Sequence, residues 1–250
     1  RYWWSSRYMK IAIITSAPDM IQNCIESTIL RKAVESKNVE IYIVDIRDFS
    51  DSNYKQIDDT PFGGGDGMVL MAGPLIKSIE SSFELLSSNI NDTHIVYPSP
   101  HGQKWTQEEA EKNIDVDNFI FICGRYKGVD QRVIDKYVTH EYSIGDYVVS
   151  NGELSSLVMI DSIVRLNPGT LNNINSAKTD SFSSALLDYP HYTKPRTIDG
   201  LSVPQVLLEG HHEKIKSWRK SRSEDLTKQK RPDLWKKYNK TINQMEFNHE

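Results

Sequence analysis

The 250-residue sequence holds only two cysteines, Cys24 and Cys123, far apart and each inside an apolar stretch. That scarcity excludes a disulfide-built scaffold. Two reduced, buried thiols are expected, with a disulfide or a metal pair as the lesser alternatives. No run approaches the roughly 18 apolar residues a membrane-spanning helix needs, so no membrane partner is expected. The opening RYWWSSRY is aromatic but lacks the apolar core of a secretory signal. Residues 1–8 are therefore read as a tag or extension, and Met9 with KIAIIT as the start of the fold. No Gly-Lys-Ser/Thr follows any glycine cluster, which argues against a Walker A phosphate loop. No GxGxxG follows the first apolar strand, and no GxSxG or Cys/His hydrolase signature occurs. None of the seven histidines has metal spacing with a cysteine. The side chains of the adjacent His211 and His212 diverge, so no metal role is expected for that pair.

What is present is an ordinary globular profile, 38% apolar and 26% charged, long enough for one large domain or two small ones. The net charge of −4 is uneven. Residues 201–250 carry 11 Lys+Arg against 7 Asp+Glu, or +4, which leaves 19 against 27, or −8, in the rest. A basic tail on an acidic body suits a polyanion partner; a solvated helix face is the plain alternative.

Short apolar strands alternate with helical patterns. Strands are expected at 10–15, 39–49, 94–100 and 119–123, with a strand-like stretch at 141–150. Helices are expected at 18–37, 74–88, 130–138 and 153–166, and a capping box at Thr106 and Glu109 opens a further short one. This alternation argues for an α/β fold on a parallel sheet. A polar stretch, PGTLNNINSAKTDSFSSA, follows near residue 167. Residues 201–250 then read as all-helical.

Glycines gather in three loops: Gly63-Gly64-Gly65-Asp66-Gly67, Gly124 to Gly128, and Gly145 to Gly152. Tight turns explain each alone. YPSP, CGRY and SIGDYVVSNG, however, all sit at carboxyl ends of strands, where open α/β sheets bind ligands. One pocket of backbone amides, carbonyls and apolar side chains is expected, better suited to an adenine or nucleoside than to a bare phosphate. Candidate acids, bases and cations are Asp180, Asp188, His191, Arg165 and Arg125. The segment TDSFSSALLDYPHYTKPR packs aspartates, a histidine, tyrosines and cations into a stretch without a period, and reads either as surface or as a site.

Taken together, YPSPHGQ, CGRYKGVDQRVID, EYSIGDYVVSNGE, MIDSIVR, TDSFSSALLDYPHYTKPR and VPQVLLEGHHEKIKSWR, with PFGGGDGM upstream, resemble bacterial tRNA (guanine-N1)-methyltransferases, the TrmD family of the SPOUT class. The resemblance covers nearly the whole chain. It implies a parallel sheet with a deep trefoil knot, followed by a small all-helical C-terminal domain. The implied division is a knotted cofactor-binding domain at 9–166, an interdomain linker contributing to the active site at 167–200, and a helical tRNA-binding domain at 201–250. The methyl donor would be S-adenosylmethionine, held by Tyr97, Ser99, Pro100, Gly124, Tyr126, Ser143, Ile144, Gly145, Tyr147, Val148, Val149 and Gly152. Asp180 would accept the proton from N1 of the guanosine at position 37 of tRNA, and Arg165 would stabilise the charge that develops on O6. The resemblance also implies a homodimer with the active site at the subunit interface, and a bacterial cytoplasm as the setting.

The sequence departs from the family pattern at four places. Lys127 stands where Glu is usual in CGRYEG. A lysine cannot ligate magnesium, which weighs against the Mg2+ step associated with that position. Asn151 replaces a usual Gly, and is expected to keep the turn because Asn tolerates left-handed geometry. Asp66 and Ser155 each replace a usual Pro. The rival readings are a knotted RNA-binding protein without catalysis, a nucleotide-binding hydrolase or kinase, and a SPOUT enzyme acting on a ribose 2′-hydroxyl.

Overall fold

The run MKIAIIT forms β1 (Met9–Thr15) in the structure, a computed structural model that describes residues 8–168, 170, 180–182 and 185–247. It is flanked by β2 (Val39–Asp45) and β6 (Asn118–Ile122); β5 (His94–Lys104) and β7 (His140–Ser143) complete the sheet. The order is β2-β1-β6-β5-β7, and every neighbouring pair is parallel. Ile11, Ile13, Phe119 and Phe121 are shut off from solvent, as are Ala12, Ile14, Ile120 and Ile122. Both faces are therefore covered, which is why these strands read as unbroken apolar runs. Burying an Ile or Phe in this way contributes roughly 1.5–3 kcal/mol.

On one face, α3 (Ala72–Leu86) lays Leu75, Ile79 and Leu86 against Ile14, Ile95 and Ile122. Also in this part of the chain are α1 (Pro18–Ser27), α2 (Ile29–Glu35), α4 (Gln107–Lys112), α5 (Gln131–Tyr137), α6 (Gly152–Val164), and an antiparallel pair, β3 (Asp58–Asp59) with β4 (Val69–Leu70). The remaining described elements are a two-strand hairpin, β8 (Thr197–Ile198) with β9 (Leu201–Ser202), and the helices α7 (His212–Lys230) and α8 (Pro232–Phe247). The chain divides into two compact units, Arg1–Ile174 and Asn175–Glu250.

Several boundaries differ from the sequence reading for local reasons. The helix expected at 18–37 is two helices. Thr28 is extended (φ −122°, ψ −170°); its hydroxyl donates to Cys24 O at 2.8 Å and accepts from Leu30 N, so it ends α1 and caps α2. The strand expected at 39–49 stops at Asp45, whose carboxylate accepts from Arg47 N at 3.0 Å and opens a 3₁₀ turn. The strand-like stretch at 141–150 ends at Ser143 and leaves the rest as loop. Thr106 does cap α4, through Glu109 N at 3.3 Å. The Glu109 carboxylate, however, takes Lys112 Nζ at 2.8 Å rather than completing the expected box. Residues 201–250 are not wholly helical, since β9 and a 3₁₀ turn at Gln205–Leu207 precede α7. Cys123 is buried, Cys24 is only half-buried, and both are free thiols. Residues 1–7, 169, 171–179 and 183–184, which include most of the expected tag and much of the expected linker, lie outside the described residues.

In the second unit Thr227 is fully buried. Its hydroxyl donates to Ser223 O at 2.7 Å and accepts from Leu187 N at 2.8 Å, which ties the segment around Leu187 to α7. No described helix is long and apolar enough to cross a membrane.

Candidate functional site

Three loops, an excursion within β5 and those at the carboxyl ends of β6 and β7, meet in one cleft. In the first, β5 pairs Pro98 with Tyr142 and then Gln103 with the same Tyr142, so residues 99–102 loop out of a strand that resumes afterwards. Ser99 is buried, and its hydroxyl accepts from His101 N at 3.1 Å, closing the excursion. Gly102 makes it possible: a Cβ there would fall 2.4 Å from Tyr142 N. The strand expected at 94–100 thus runs on to Lys104, because the SPHG insertion is a bulge rather than an end.

The second loop begins where Cys123 N donates to Ile14 O at 2.9 Å. Gly124 O accepts from Gly152 N at 2.8 Å, and Lys127 N donates to Met68 O at 3.0 Å. CGRYKG is therefore stitched to the start of α6 on one side and to the glycine-rich 63–67 loop on the other. Tyr97 packs directly against this loop, since a Cβ on Gly124 would lie 2.9 Å from its ring. Burial, reinforced by the nearby Glu141 charge, pushes the Tyr97 hydroxyl pKa up and keeps it neutral.

The third loop leaves β7 at Ser143, whose hydroxyl accepts from Gly145 N at 3.2 Å. Gly145 has φ +145°, and a Cβ on it would meet the Tyr147 ring at 2.5 Å. At the tip Tyr147 is 61% and Val148 96% exposed, an apolar rim left facing solvent. Asn151 then opens α6. It is extended (φ −158°), so the left-handed tolerance expected of it is not used; instead its Oδ1 accepts from Leu154 N at 3.4 Å as an N-cap. Trp105 Nε1 donates to Ser162 Oγ at 2.9 Å, pinning the same helix to the end of β5.

All twelve residues that the resemblance assigns to the cofactor line this cleft. The structure adds Pro98, Lys127, Gly128 and Ser155 to its wall, and Arg125, which the sequence reading carried only as a candidate cation. All but Ser155 belong to the same motifs, so for them the motif boundaries themselves were the available signal. Arg125 and Lys127 are the charged residues among the described lining, which contains no carboxylate. The Arg125 guanidinium donates to Ser16 Oγ at 3.2 Å.

Glu153 was missed altogether. It lies in the first turn of α6 with no solvent exposure, and accepts from Thr15 Oγ1 at 2.6 Å. Its other oxygen, Oε2, has no hydrogen-bond partner. Burial, with the Glu153 charge adding to it, drives the Cys123 thiol pKa strongly upward, so Cys123 is a structural thiol rather than a nucleophile.

Arg165 closes α6 as its C-cap, its N–H bonded to Asp161 O at 3.0 Å. Burial raises the Asp161 pKa, and the Arg165 charge opposes that rise. Asp180 belongs to the second unit, in a turn where Ser181 Oγ accepts from Asp188 N at 2.9 Å. Asp188 Oδ2 and His191 Nε2 are 2.8 Å apart, so these two candidates bind each other. Among the described residues no group of three or more His, Cys, Asp or Glu gathers to hold a metal.

The family model for tRNA (Guanine-1)-methyltransferase TrmD matches residues 9–237. Among curated proteins, the tRNA (guanine-N(1)-)-methyltransferase of Clostridioides difficile (strain 630) is 44% identical over 231 residues, covering 92% of this chain and 99% of its own. That of Brevibacillus brevis is 45% identical over 229 residues, covering 92% of each. That of Alkaliphilus oremlandii is 42% identical over 232 residues, covering 92% of this chain and 93% of its own. With the three loops joined in one cleft and the match running almost end to end, the chain belongs to the TrmD family of tRNA (guanine-N1)-methyltransferases.

Proposed function

We propose that the protein methylates N1 of the guanosine at position 37 of tRNA, beside the anticodon, with S-adenosylmethionine as donor. The observation that carries the reading is the convergence of three glycine-bearing loops on one cleft, in a chain whose relatives are named for this reaction.

The cleft's residues fit the donor. Backbone pressed against backbone at Gly102 and Gly152, and against the Tyr97 ring at Gly124, leaves amides, carbonyls and the neutral Tyr97 to meet a flat nucleoside. Arg125 and Lys127, with no lining carboxylate, favour a ligand that carries a carboxylate at one end. When bound, S-adenosylmethionine supplies an electrophilic methyl group. The chain's own task is to make N1 a nucleophile. N1 carries a proton and has no usable lone pair until that proton leaves. Asp180, as a carboxylate, takes it. Negative charge then spreads toward O6, and the Arg165 guanidinium stabilises it more in the transition state than in the ground state. Lys127 cannot act as a metal ligand, so no magnesium step is assigned to that position.

The same reading includes the deep trefoil knot, with the three loops as its strands; the stitch from Gly152 N to Gly124 O supports that path. It includes a division into a cofactor-binding domain at 9–166, a linker at 167–200 and a helical tRNA-binding domain at 201–250, whose +4 balance suits phosphate contacts. It also includes a homodimer, for which the exposed Tyr147 and Val148 beside the cleft supply an apolar surface to cover. The setting would be a bacterial cytoplasm.

The test is nucleoside analysis of tRNA after incubation with the protein and S-adenosylmethionine. N1-methylguanosine is the expected product. A 2′-O-methylated nucleoside would move the protein to the ribose-modifying branch. Binding of tRNA without any product would favour the non-catalytic reading.

A further inference from the structure

A second cleft, of about 400 Å³, lies wholly within the Asn175–Glu250 unit and has no part in the chemistry above. Its volume is in the range of small-ligand sites, about 300–1,000 Å³. Three kinds of residue line it. Tyr189, Tyr192 and Trp218 supply aromatic faces; Lys194, Arg196 and Arg219 supply cations; Val203, Leu207 and Ile215 supply an apolar floor.

The aromatic walls differ in what they leave open. Tyr189 is already covered: Arg219 Cζ sits 4.8 Å over its ring, and the His191 ring lies 4.6 Å away. The pairing of His191 Nε2 with Asp188 Oδ2 at 2.8 Å fixes that wall. Tyr192 and Trp218 lie 6.3 Å apart and are inclined at 54°, so they form a notch rather than a closed stack. Tyr192 remains 48% exposed. No carboxylate is among the described lining residues, and Asp188 is engaged behind His191.

An exposed aromatic notch edged by lysine and arginine matches the chemistry of one flat base on a phosphate chain. Bases in single-stranded loops stack on aromatic side chains while their phosphates meet cations, whereas bases in a duplex are already stacked on each other. A peptide partner of ordinary composition has less reason to select three cations without a carboxylate.

We propose that this cleft holds one unpaired nucleotide of the RNA substrate, distinct from the methylated guanosine, with its base against Tyr192 and Trp218 and its phosphate at Lys194 and Arg196. The inference rests on the reading of the protein as a tRNA methyltransferase.

The experiment uses the full chain and a set of anticodon-arm transcripts in which each loop position other than 37 is made abasic in turn. Affinity is read by filter retention, so it does not depend on catalysis. For the wild type, one abasic position is expected to weaken binding about tenfold, the scale of one base–aromatic stack. Tyr192→Ala is expected to lose about as much on the intact transcript and to lose nothing further at that position. Tyr192→Phe, which keeps the ring, should bind as the wild type does, and all three proteins should bind S-adenosylmethionine equally by calorimetry. Losses that simply add to Tyr192→Ala at every position overturn the proposal. So does a Tyr192→Ala protein that binds every transcript as the wild type does, an outcome that would leave the cleft to a protein ligand. Loss of methyl transfer with the coupling intact would sink the proposed reaction and leave this site standing.

Discussion

Replacing Gly152 with alanine tests how the cleft is held together. Gly152 N donates to Gly124 O at 2.8 Å, joining the start of α6 to the end of β6. A Cβ added there would lie 2.5 Å from Gly124 N and 3.0 Å from both the C and the Cα of Cys123. All three atoms are backbone, so no side chain can swing aside, and the strand end and helix start must part. Gly152 does not have positive φ, so the cost comes from overlap rather than from backbone conformation. Overpacking of this kind costs roughly 1–3 kcal/mol, and backbone obstruction puts Gly152→Ala at the upper end. For a unit of this size the melting temperature should fall by roughly 5–10 °C. The parted loops should also weaken S-adenosylmethionine binding by about tenfold, on the order of 1.4 kcal/mol. Gly73→Ala is the control. Gly73 is the second residue of α3, and an added Cβ would meet nothing within 4 Å beyond its chain neighbours; the helix preference of alanine is offset by crowding against Pro74, so stability should change by less than about 1 kcal/mol. Thermal melts and calorimetric titration of both variants decide the matter. A Gly152→Ala protein that melts within a degree or two of the wild type and binds the donor equally would refute the backbone-locked cleft.

Three further outcomes are expected. Asn151→Ala removes the cap on Leu154 N and should cost about 1 kcal/mol in urea unfolding, whereas Asn151→Gly should lose only a few tenths. Lys127→Met should weaken S-adenosylmethionine about fivefold, the scale of one exposed charge pair, and leave a decarboxylated analogue unaffected; equal loss for both ligands would remove Lys127 from carboxylate binding. His140 is half-buried, its ring 4.1 Å from His94 and 5.9 Å from Tyr142, with the Glu109 charge opposing. Burial, then His94, lowers its pKa below the usual value of about 6.5, so below that pH the unfolded chain binds the proton more readily. The stability contribution is therefore whole above about pH 6.5 and is lost as pH falls through the folded pKa. Urea melts of His140→Asn between pH 7.5 and 5 should show a flatter dependence than the wild type.

The strands were legible in the sequence wherever burial on both faces left an unbroken apolar run, as at 10–15 and 119–123. The breaks were harder to see because each depends on one hydrogen bond. Nothing in the spacing of residues 18–37 shows that the Thr28 hydroxyl will bind Cys24 O and end a helix. The bulge at 99–102 was hidden for a different reason. Proline twice in four residues reads as a strand end, and only the close approach of Gly102 to Tyr142 reveals that β5 resumes. The residues that line the cleft were legible through motif resemblance rather than through pattern, since glycines at strand ends say that something binds but not what. Glu153 escaped because a glutamate at a helix start normally faces water, and its burial under Thr15 is a tertiary fact. The second cleft escaped because Tyr192 and Trp218 are 26 positions apart, in segments that look unrelated until the turn before α7 brings them together.

The most direct measurement is transfer of labelled methyl from S-adenosylmethionine to a tRNA transcript with guanosine at position 37, beside one with another base there, by the wild type and by Asp180→Ala. The account predicts label on the first transcript alone, lost in Asp180→Ala while donor binding by calorimetry is unchanged. Full activity in Asp180→Ala, or equal labelling of both transcripts, would contradict it.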